Sequence, residues 1–142
     1  KIIHITGKHN EKPLLNREKI VNYYFYDLLD TVHMARSINE ADLVITRAGL
    51  GTLSELSFLA KPTIIIPMPN SHQEDNAEYF ATRGAAIVLD QRKLTPKEFA
   101  LIIKRILSDN KTLTDMSHKI NIAMKHNANQ EMIDIIDRII NP

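Results

Sequence analysis

Short apolar runs alternate with helical patterns along most of the chain. Runs rich in β-branched and aromatic residues predict five strands, at residues 2–6, 23–26, 42–46, 63–67 and 86–89. Helical patterns between these runs predict helices at residues 15–21, from residue 30 or 31 to about residue 40, and at residues 52–60 and 76–83. This alternation is typical of an α/β fold in which helices flank a parallel sheet.

The pattern becomes purely helical after residue 89. Thr95, Pro96 and Glu98 are together typical of a helix start, with a capping residue, a proline at the first helical position and a glutamate in the first turn. Two further helices are predicted at residues 112–125 and 129–140. The sequence therefore predicts one α/β domain, residues 1–142, that ends in an all-helical segment.

Composition narrows the classes of partner. The 142 residues are 44% hydrophobic, enough for a core, and the formal net charge is +1. Lysine and arginine do not form a run, so no nucleic-acid partner is indicated. Cysteine is absent, which excludes disulfides and thiolate metal sites. No apolar run approaches the length of a membrane-spanning helix, so we expect a soluble chain with at most peripheral membrane contact.

The most informative segment is a glycine-containing turn after the strand at residues 42–46. Residues 43–45 are expected to be buried, and Gly49 and Gly51, two of the four glycines, are expected to let the backbone turn tightly. Thr52 is predicted to cap the helix that follows. Ligands of open α/β sheets bind at the carboxyl ends of the strands, where this turn lies. Glu55, in the predicted first turn of that helix, could accept hydrogen bonds from both hydroxyls of a ribose, or it could complement the helix dipole.

Four segments together resemble the carboxy-terminal, donor-binding domain of the MurG family of GT-B glycosyltransferases. They are residues 42–55, 61–67, 72–77 and 84–86. The likeness is tight over residues 41–86 and elsewhere rests on the order of elements. It implies a Rossmann-like parallel sheet and inverting transfer of N-acetylglucosamine from UDP-N-acetylglucosamine to a lipid-linked muramyl-pentapeptide during peptidoglycan synthesis. The resemblance places the full-length protein at the cytoplasmic face of the inner membrane. It implies no metal or other cofactor, because the UDP-sugar is a substrate.

The resemblance also assigns candidate donor-binding residues. Glu55 matches the family's ribose-binding carboxylate, and Gln73 matches a glutamine that hydrogen-bonds the sugar hydroxyls with both donor and acceptor groups. His72 lies beside Gln73 in the same motif, and Leu29 is the candidate for the uracil contact in an ambiguous register. Gly49, Leu50, Gly51 and Thr52 match the turn whose backbone amides face the sugar.

Two further candidates have open alternatives. Arg47 could approach the diphosphate or pair with a neighbouring carboxylate. Asn76 could contact the ligand, but capping of the helix at residues 76–83 is the favoured interpretation. None of the family's catalytic residues is expected in this chain, since the resemblance implies that the family's catalytic base belongs to the amino-terminal domain.

The chain departs from the family pattern at its start. The family's glycine-rich phosphate loop, G-G-S-x-G-A, does not occur in the sequence, and His4-Ile5-Thr6-Gly7 matches the family's second strand. We therefore expect a fragment that binds donor weakly and does not turn over. Two alternatives stay open: a donor subunit of a two-chain lipid-linked oligosaccharide transferase, and a UDP-sugar epimerase or sensor of related fold.

Overall fold

A computed structural model of the protein describes residues 1–8 and 21–141. The described chain divides into two compact units, Lys1–Ala41 and Asp42–Pro142. The helix predicted at residues 15–21 lies, apart from Val21, outside the described residues.

The described residues of the first unit form two parallel strands and one helix. Strand β1 (Ile2–Ile5) pairs with β2 (Tyr23–Tyr26), and helix α1 (Thr31–Glu40) follows. Helix α1 begins where the sequence predicts, because the Asp30 carboxylate accepts a hydrogen bond from the backbone N–H of His33 at 2.9 Å.

The second unit carries a parallel sheet in the order β3-β4-β5. Its strands are β3 (Val44–Thr46), β4 (Thr63–Ile65) and β5 (Ile87–Val88), connected by helices α2 (Leu50–Phe58) and α3 (Gln73–Thr82). The central strand β4 is buried along its whole length, as expected for a parallel sheet covered on both faces. Ile45 of β3 is 43% exposed, so its predicted burial is wrong; β3 is an edge strand of this sheet.

Three helices complete the second unit: α4 (Pro96–Leu107), α5 (Asn110–Ala123) and α6 (Ala128–Ile140). The capping box predicted for α4 is present, with Thr95 and Glu98 bonded reciprocally. Ile64 of β4 forms a buried cluster with Ile106 of α4 and Met116 of α5, so the helical segment closes over the sheet.

The α/β class and the all-helical end are therefore confirmed, although the hydrogen bonds group the strands into two sheets rather than one. Within the described part of the chain, no helix is both long enough and apolar enough to cross a membrane.

Candidate functional site

The glycine turn connects the carboxyl end of β3 to helix α2. Helix α2 begins at Leu50, earlier than predicted, and its N-cap is Gly49, which has no side chain to cap it. Thr52 is the third residue of the helix, so the prediction that it caps α2 is wrong. Its exposed hydroxyl has no hydrogen-bond partner among the residues that the structure describes.

The glycines of this turn serve to leave space, not to bend the backbone. Gly49 has φ of −71°, an angle that any residue adopts, and Gly51 lies within helix α2. The predicted requirement for a tight glycine turn is therefore wrong. A β-carbon at either position would meet no atom within 4 Å, so both glycines expose bare backbone on an open surface. A ligand can approach the main chain closely at such a place.

The beginning of helix α2 presents several unused hydrogen-bond donors. Leu53 N–H donates to Gly49 O at 3.0 Å, and the N–H groups of Leu50, Gly51 and Thr52 have no partner within the described ranges 1–8 and 21–141. These groups lie at the positive end of the helix dipole. They suit a ligand rich in oxygen atoms or negative charge.

Glu55 stands one turn further along α2. It is the sixth residue of the helix, so its predicted place in the first turn is wrong, and the dipole there is weak. Its side chain is exposed and forms no ion pair or hydrogen bond with any described residue. Spacings of four and three residues put Glu55 on the same helix face as Gly51 and Thr52. A free carboxylate therefore shares the open face of the turn.

Gln73 connects the turn after β3 to the loop after β4 through hydrogen bonds. It is the first residue of α3, and its Oε1 accepts hydrogen bonds from Ala48 N–H at 3.2 Å and Met68 N–H at 3.1 Å. Both partners are backbone N–H donors, so the amide atom that faces them is the oxygen, and both of its lone pairs are used. The expectation that Gln73 offers a ligand both donor and acceptor is therefore wrong: only its Nε2–H donors remain available.

Asn76 lies inside α3 and not at its start. Its Nδ2 donates to Ala48 O at 2.9 Å, so the favoured capping role is wrong. Helix α3 begins three residues before the predicted position, and His72 occupies the N-cap without a side-chain capping bond. The His72 side chain is exposed and makes no hydrogen bond, ion pair or ring contact with another residue in the described part of the chain.

Arg47 joins the loops after all three strands of the second unit. Its Nη1 donates to Ile66 O at 3.1 Å, Pro67 O at 3.3 Å and Gln91 Oε1 at 2.6 Å. The alternative of a pairing with a carboxylate is therefore wrong, because the partners are neutral oxygens. No sequence motif marks Ala48, Met68 and Gln91 as partners, and they lie 25, 5 and 44 residues from the side chains that they contact.

Two further features complete the description. Leu29 belongs to the first unit. It lies in the segment that connects β2 to α1, and it is half-buried. A cleft of about 450 Å³ lies between the end of β5 and α4, lined among others by Leu89, Lys93 and Leu101, and contains none of the predicted site residues. Among the described residues, no group of three His, Asp or Glu side chains is placed to hold a metal ion.

Comparison with known proteins gives one consistent result. The sequence profile of the glycosyltransferase family 28 C-terminal domain matches residues 1–138. A relative from Prochlorococcus marinus, named UDP-N-acetylglucosamine–N-acetylmuramyl-(pentapeptide) pyrophosphoryl-undecaprenol N-acetylglucosamine transferase, is 31% identical over 99% of this chain. A relative of the same name from Crocosphaera subtropica is 35% identical over 83% of this chain. The chain spans 41% and 34% of the lengths of these two relatives.

The fold comparison agrees with the sequence comparison. The crystal structure of Acinetobacter baumannii MurG superposes with a TM-score of 0.79 and 26% identity, covering 96% of this chain and 40% of that one. A glycosyltransferase of kitacinnamycin superposes with a TM-score of 0.72 at 21% identity and supports the fold alone.

Proposed function

The chain belongs to the glycosyltransferase family 28 C-terminal domain family, and we propose that it binds the sugar donor of an N-acetylglucosamine transferase. The donor is UDP-N-acetylglucosamine and the acceptor a lipid-linked muramyl-pentapeptide, so the reaction belongs to peptidoglycan and cell-wall synthesis at the membrane surface. The names of the relatives support both substrates. The observation that carries the proposal is the open turn itself: unused N–H donors at the start of α2 beside the free carboxylate of Glu55.

The nucleoside diphosphate and its sugar supply oxygen acceptors for the free N–H groups and hydroxyl donors for the free carboxylate. The N–H groups of Leu50, Gly51 and Thr52 donate to oxygen atoms of the sugar or the diphosphate. The two carboxylate oxygens of Glu55 accept from the two adjacent hydroxyls of the ribose, a vicinal pair of donors.

The second loop contributes the rest of the sugar site. The Nε2 of Gln73 donates to a sugar oxygen, because its own oxygen is already bonded to two backbone N–H groups. His72 borders the same loop, and Arg47 retains its Nε and Nη2 donors for the negative charge of the diphosphate. Leu29, in the first unit, is assigned to the uracil by resemblance alone.

The chemistry that fits these groups is a single displacement with inversion. The acceptor hydroxyl oxygen bonds to the anomeric carbon, the bond from that carbon to the UDP oxygen breaks, and UDP leaves with the electron pair. The acceptor proton passes to a base outside this chain. The N–H donors and helix terminus stabilise the charge that develops on the departing diphosphate, so the proposed mechanism needs neither a metal at the donor nor a covalent intermediate.

Calorimetric titration tests the donor-binding role directly. We expect this chain to bind UDP and UDP-N-acetylglucosamine, and Glu55→Ala to weaken binding at least about tenfold, because hydrogen bonds to a charged group contribute roughly 1.5–3 kcal/mol. Glu78→Ala is the matched control, since Glu78 is an exposed glutamate of α3 without a described side-chain partner. A folded chain that binds neither ligand would contradict the proposal. Equal affinities of Glu55→Ala and Glu78→Ala would show that Glu55 does not contact the donor.

A further inference from the structure

The peptide bond between Ala48 and Gly49 is held from outside the turn. Ala48 is fully buried, and its backbone N–H and C=O both bond to side chains of α3 instead of to a strand or helix. Gln73 receives the N–H and Asn76 supplies the donor for the C=O, from positions three residues apart on one face of α3. A buried carbonyl needs such a partner, since leaving it unpaired is costly.

This arrangement determines where the Gly49 N–H points. A trans peptide unit is planar, so the N–H of Gly49 points roughly opposite to the C=O of Ala48. Because Asn76 holds that C=O toward α3, the Gly49 N–H is directed away from α3. It has no hydrogen-bond partner among residues 1–8 and 21–141. It therefore joins the N–H groups of Leu50, Gly51 and Thr52 as a further free donor at the start of α2.

Without the hydrogen bond from Asn76, the same peptide unit could flip. A flip rotates ψ of Ala48 and φ of Gly49 together, and it would bring φ of Gly49 from −71° to a positive value. Glycine tolerates that change at little cost, whereas other residues do not. A flipped unit would present the Ala48 carbonyl oxygen, instead of an N–H, to an oxygen-rich ligand.

We propose that Asn76 is a positioning residue that acts through Ala48: it prevents this flip and keeps the Gly49 N–H directed at the donor. The proposal rests on the proposed donor-binding function of the turn. Asn76 then contributes to affinity without touching the ligand, and a glycine at position 49 makes its hydrogen bond necessary. If loss of the bond leaves only roughly one molecule in ten in the competent orientation, apparent affinity falls about tenfold.

Relaxation-dispersion NMR on the ligand-free, ¹⁵N-labelled chain tests the flip apart from ligand binding. We expect Asn76→Ala to introduce microsecond-to-millisecond exchange at the amides of Gly49 and Leu50, and Gly49→Ala in the same chain to abolish it, because alanine disfavours positive φ. Asn76→Asp, which keeps the size and removes the N–H donor, replaces Asn76→Ala if that variant does not fold. Glu78→Ala, on the same helix, should show no exchange.

Calorimetry with UDP-N-acetylglucosamine completes the test. Exchange at Gly49 together with binding about tenfold weaker in Asn76→Ala supports the positioning role. Weaker binding without exchange means that Asn76 contacts the ligand directly, and it overturns the proposal, as does unchanged affinity. If the wild type binds no UDP-sugar, the donor-binding function fails instead, while the NMR comparison still decides whether Asn76 prevents the flip.

Discussion

At the scale of single residues, substitution of Gly51 should change the free energy of unfolding and the donor affinity in opposite directions. It lies in the first turn of α2, where glycine is less favourable than alanine, and a β-carbon there meets no atom within 4 Å. We expect Gly51→Ala to raise the free energy of unfolding by up to about 1 kcal/mol. Donor binding should weaken, because the methyl group occupies the open surface. Urea denaturation and calorimetry measure the two effects.

Gly84 provides the control for that substitution. Its φ is +60°, a conformation that alanine rarely adopts, and a β-carbon would make only ordinary contact with the Lys119 side chain at 3.5 Å. Gly84→Ala should therefore lower stability through backbone strain without changing donor affinity. A Gly51→Ala variant that is less stable than the wild type, or that binds donor equally well, would contradict the interpretation of the turn as an open surface.

Gln73 allows its two hydrogen-bonding roles to be separated. Glutamate keeps two acceptor oxygens for the N–H groups of Ala48 and Met68, whereas leucine leaves both donors without a partner. We expect Gln73→Leu to lower the free energy of unfolding by roughly 1–3 kcal/mol relative to Gln73→Glu. Both variants should bind donor more weakly, since both lack the Nε2 donors. Equal urea midpoints for the two variants would show that the glutamine oxygen does not hold the loops.

At the scale of elements, the N-terminus of α5 makes stability depend on pH. The carboxylate of Asp109 accepts from Thr112 Oγ1 at 2.7 Å and from the backbone N–H groups of Thr112 and Lys111. The Thr112 side chain, then its backbone N–H, lower the pKa of Asp109 below the ordinary value of 3.8. Because the folded pKa lies below the unfolded one, the ionised cap stabilises the fold above the unfolded pKa, and this stabilisation is lost as pH falls through the folded pKa.

We therefore expect Asp109→Asn to lose less stability than the wild type between about pH 6 and about pH 3. Asparagine still caps the helix through its amide oxygen, so the variant should fold. Part of the acid sensitivity should remain, because hydrogen bonds also lower the pKa values of Asp30, Glu40, Asp90 and Glu98. Urea midpoints measured across this range provide the test, and parallel curves for the two proteins would refute it.

The helix starts also show which elements a local pattern predicts. Helix α4 begins where its capping box indicates, because Thr95, Pro96 and Glu98 act on one another within a single turn. Helices α2 and α3 begin earlier than predicted, since Thr52 and Asn76 have the chemistry of capping residues but lie inside the helices. Nothing in the local sequence distinguishes a capping side chain from one whose partner lies in another loop.

At the scale of the whole second unit, side chains of one helix complete the end of another. Ser57 of α2 is fully buried, and its Oγ donates at 2.7 Å to the carbonyl of Ile120, in the last turn of α5. The last carbonyls of a helix have no partner within the helix, so Ser57 satisfies a group that would otherwise be buried unpaired. The Tyr79 hydroxyl does the same for Ala123 O at 2.9 Å.

We expect Ser57→Ala to lower the free energy of unfolding by roughly 1–3 kcal/mol, the cost of leaving the Ile120 carbonyl unpaired. Ser54→Ala on the same helix is the matched control. The Ser54 hydroxyl donates to Leu50 O within α2 at 2.9 Å and makes only a long contact with the weak acceptor Met124 Sδ at 3.7 Å, and Ser54 is less buried than Ser57. Urea denaturation of both variants measures the difference. A similar loss in the two would mean that the contact between α2 and α5 contributes nothing specific.

The sequence by itself determined the order and type of the described elements, the start of α1, the capping of α4, and the family. Hydrophobic period, capping chemistry and motif spacing are all local along the chain. Only the tertiary structure decided what the polar side chains of the turn do. Gln73, Asn76 and Arg47 bond to atoms between 5 and 44 residues away, and those distances close only when β3, β4 and β5 align in parallel. Gly49 is the clearest example. The sequence shows that a glycine stands at this position, but only the structure shows its ordinary φ and the hydrogen bond from Asn76 of α3 to the preceding carbonyl, Ala48 O.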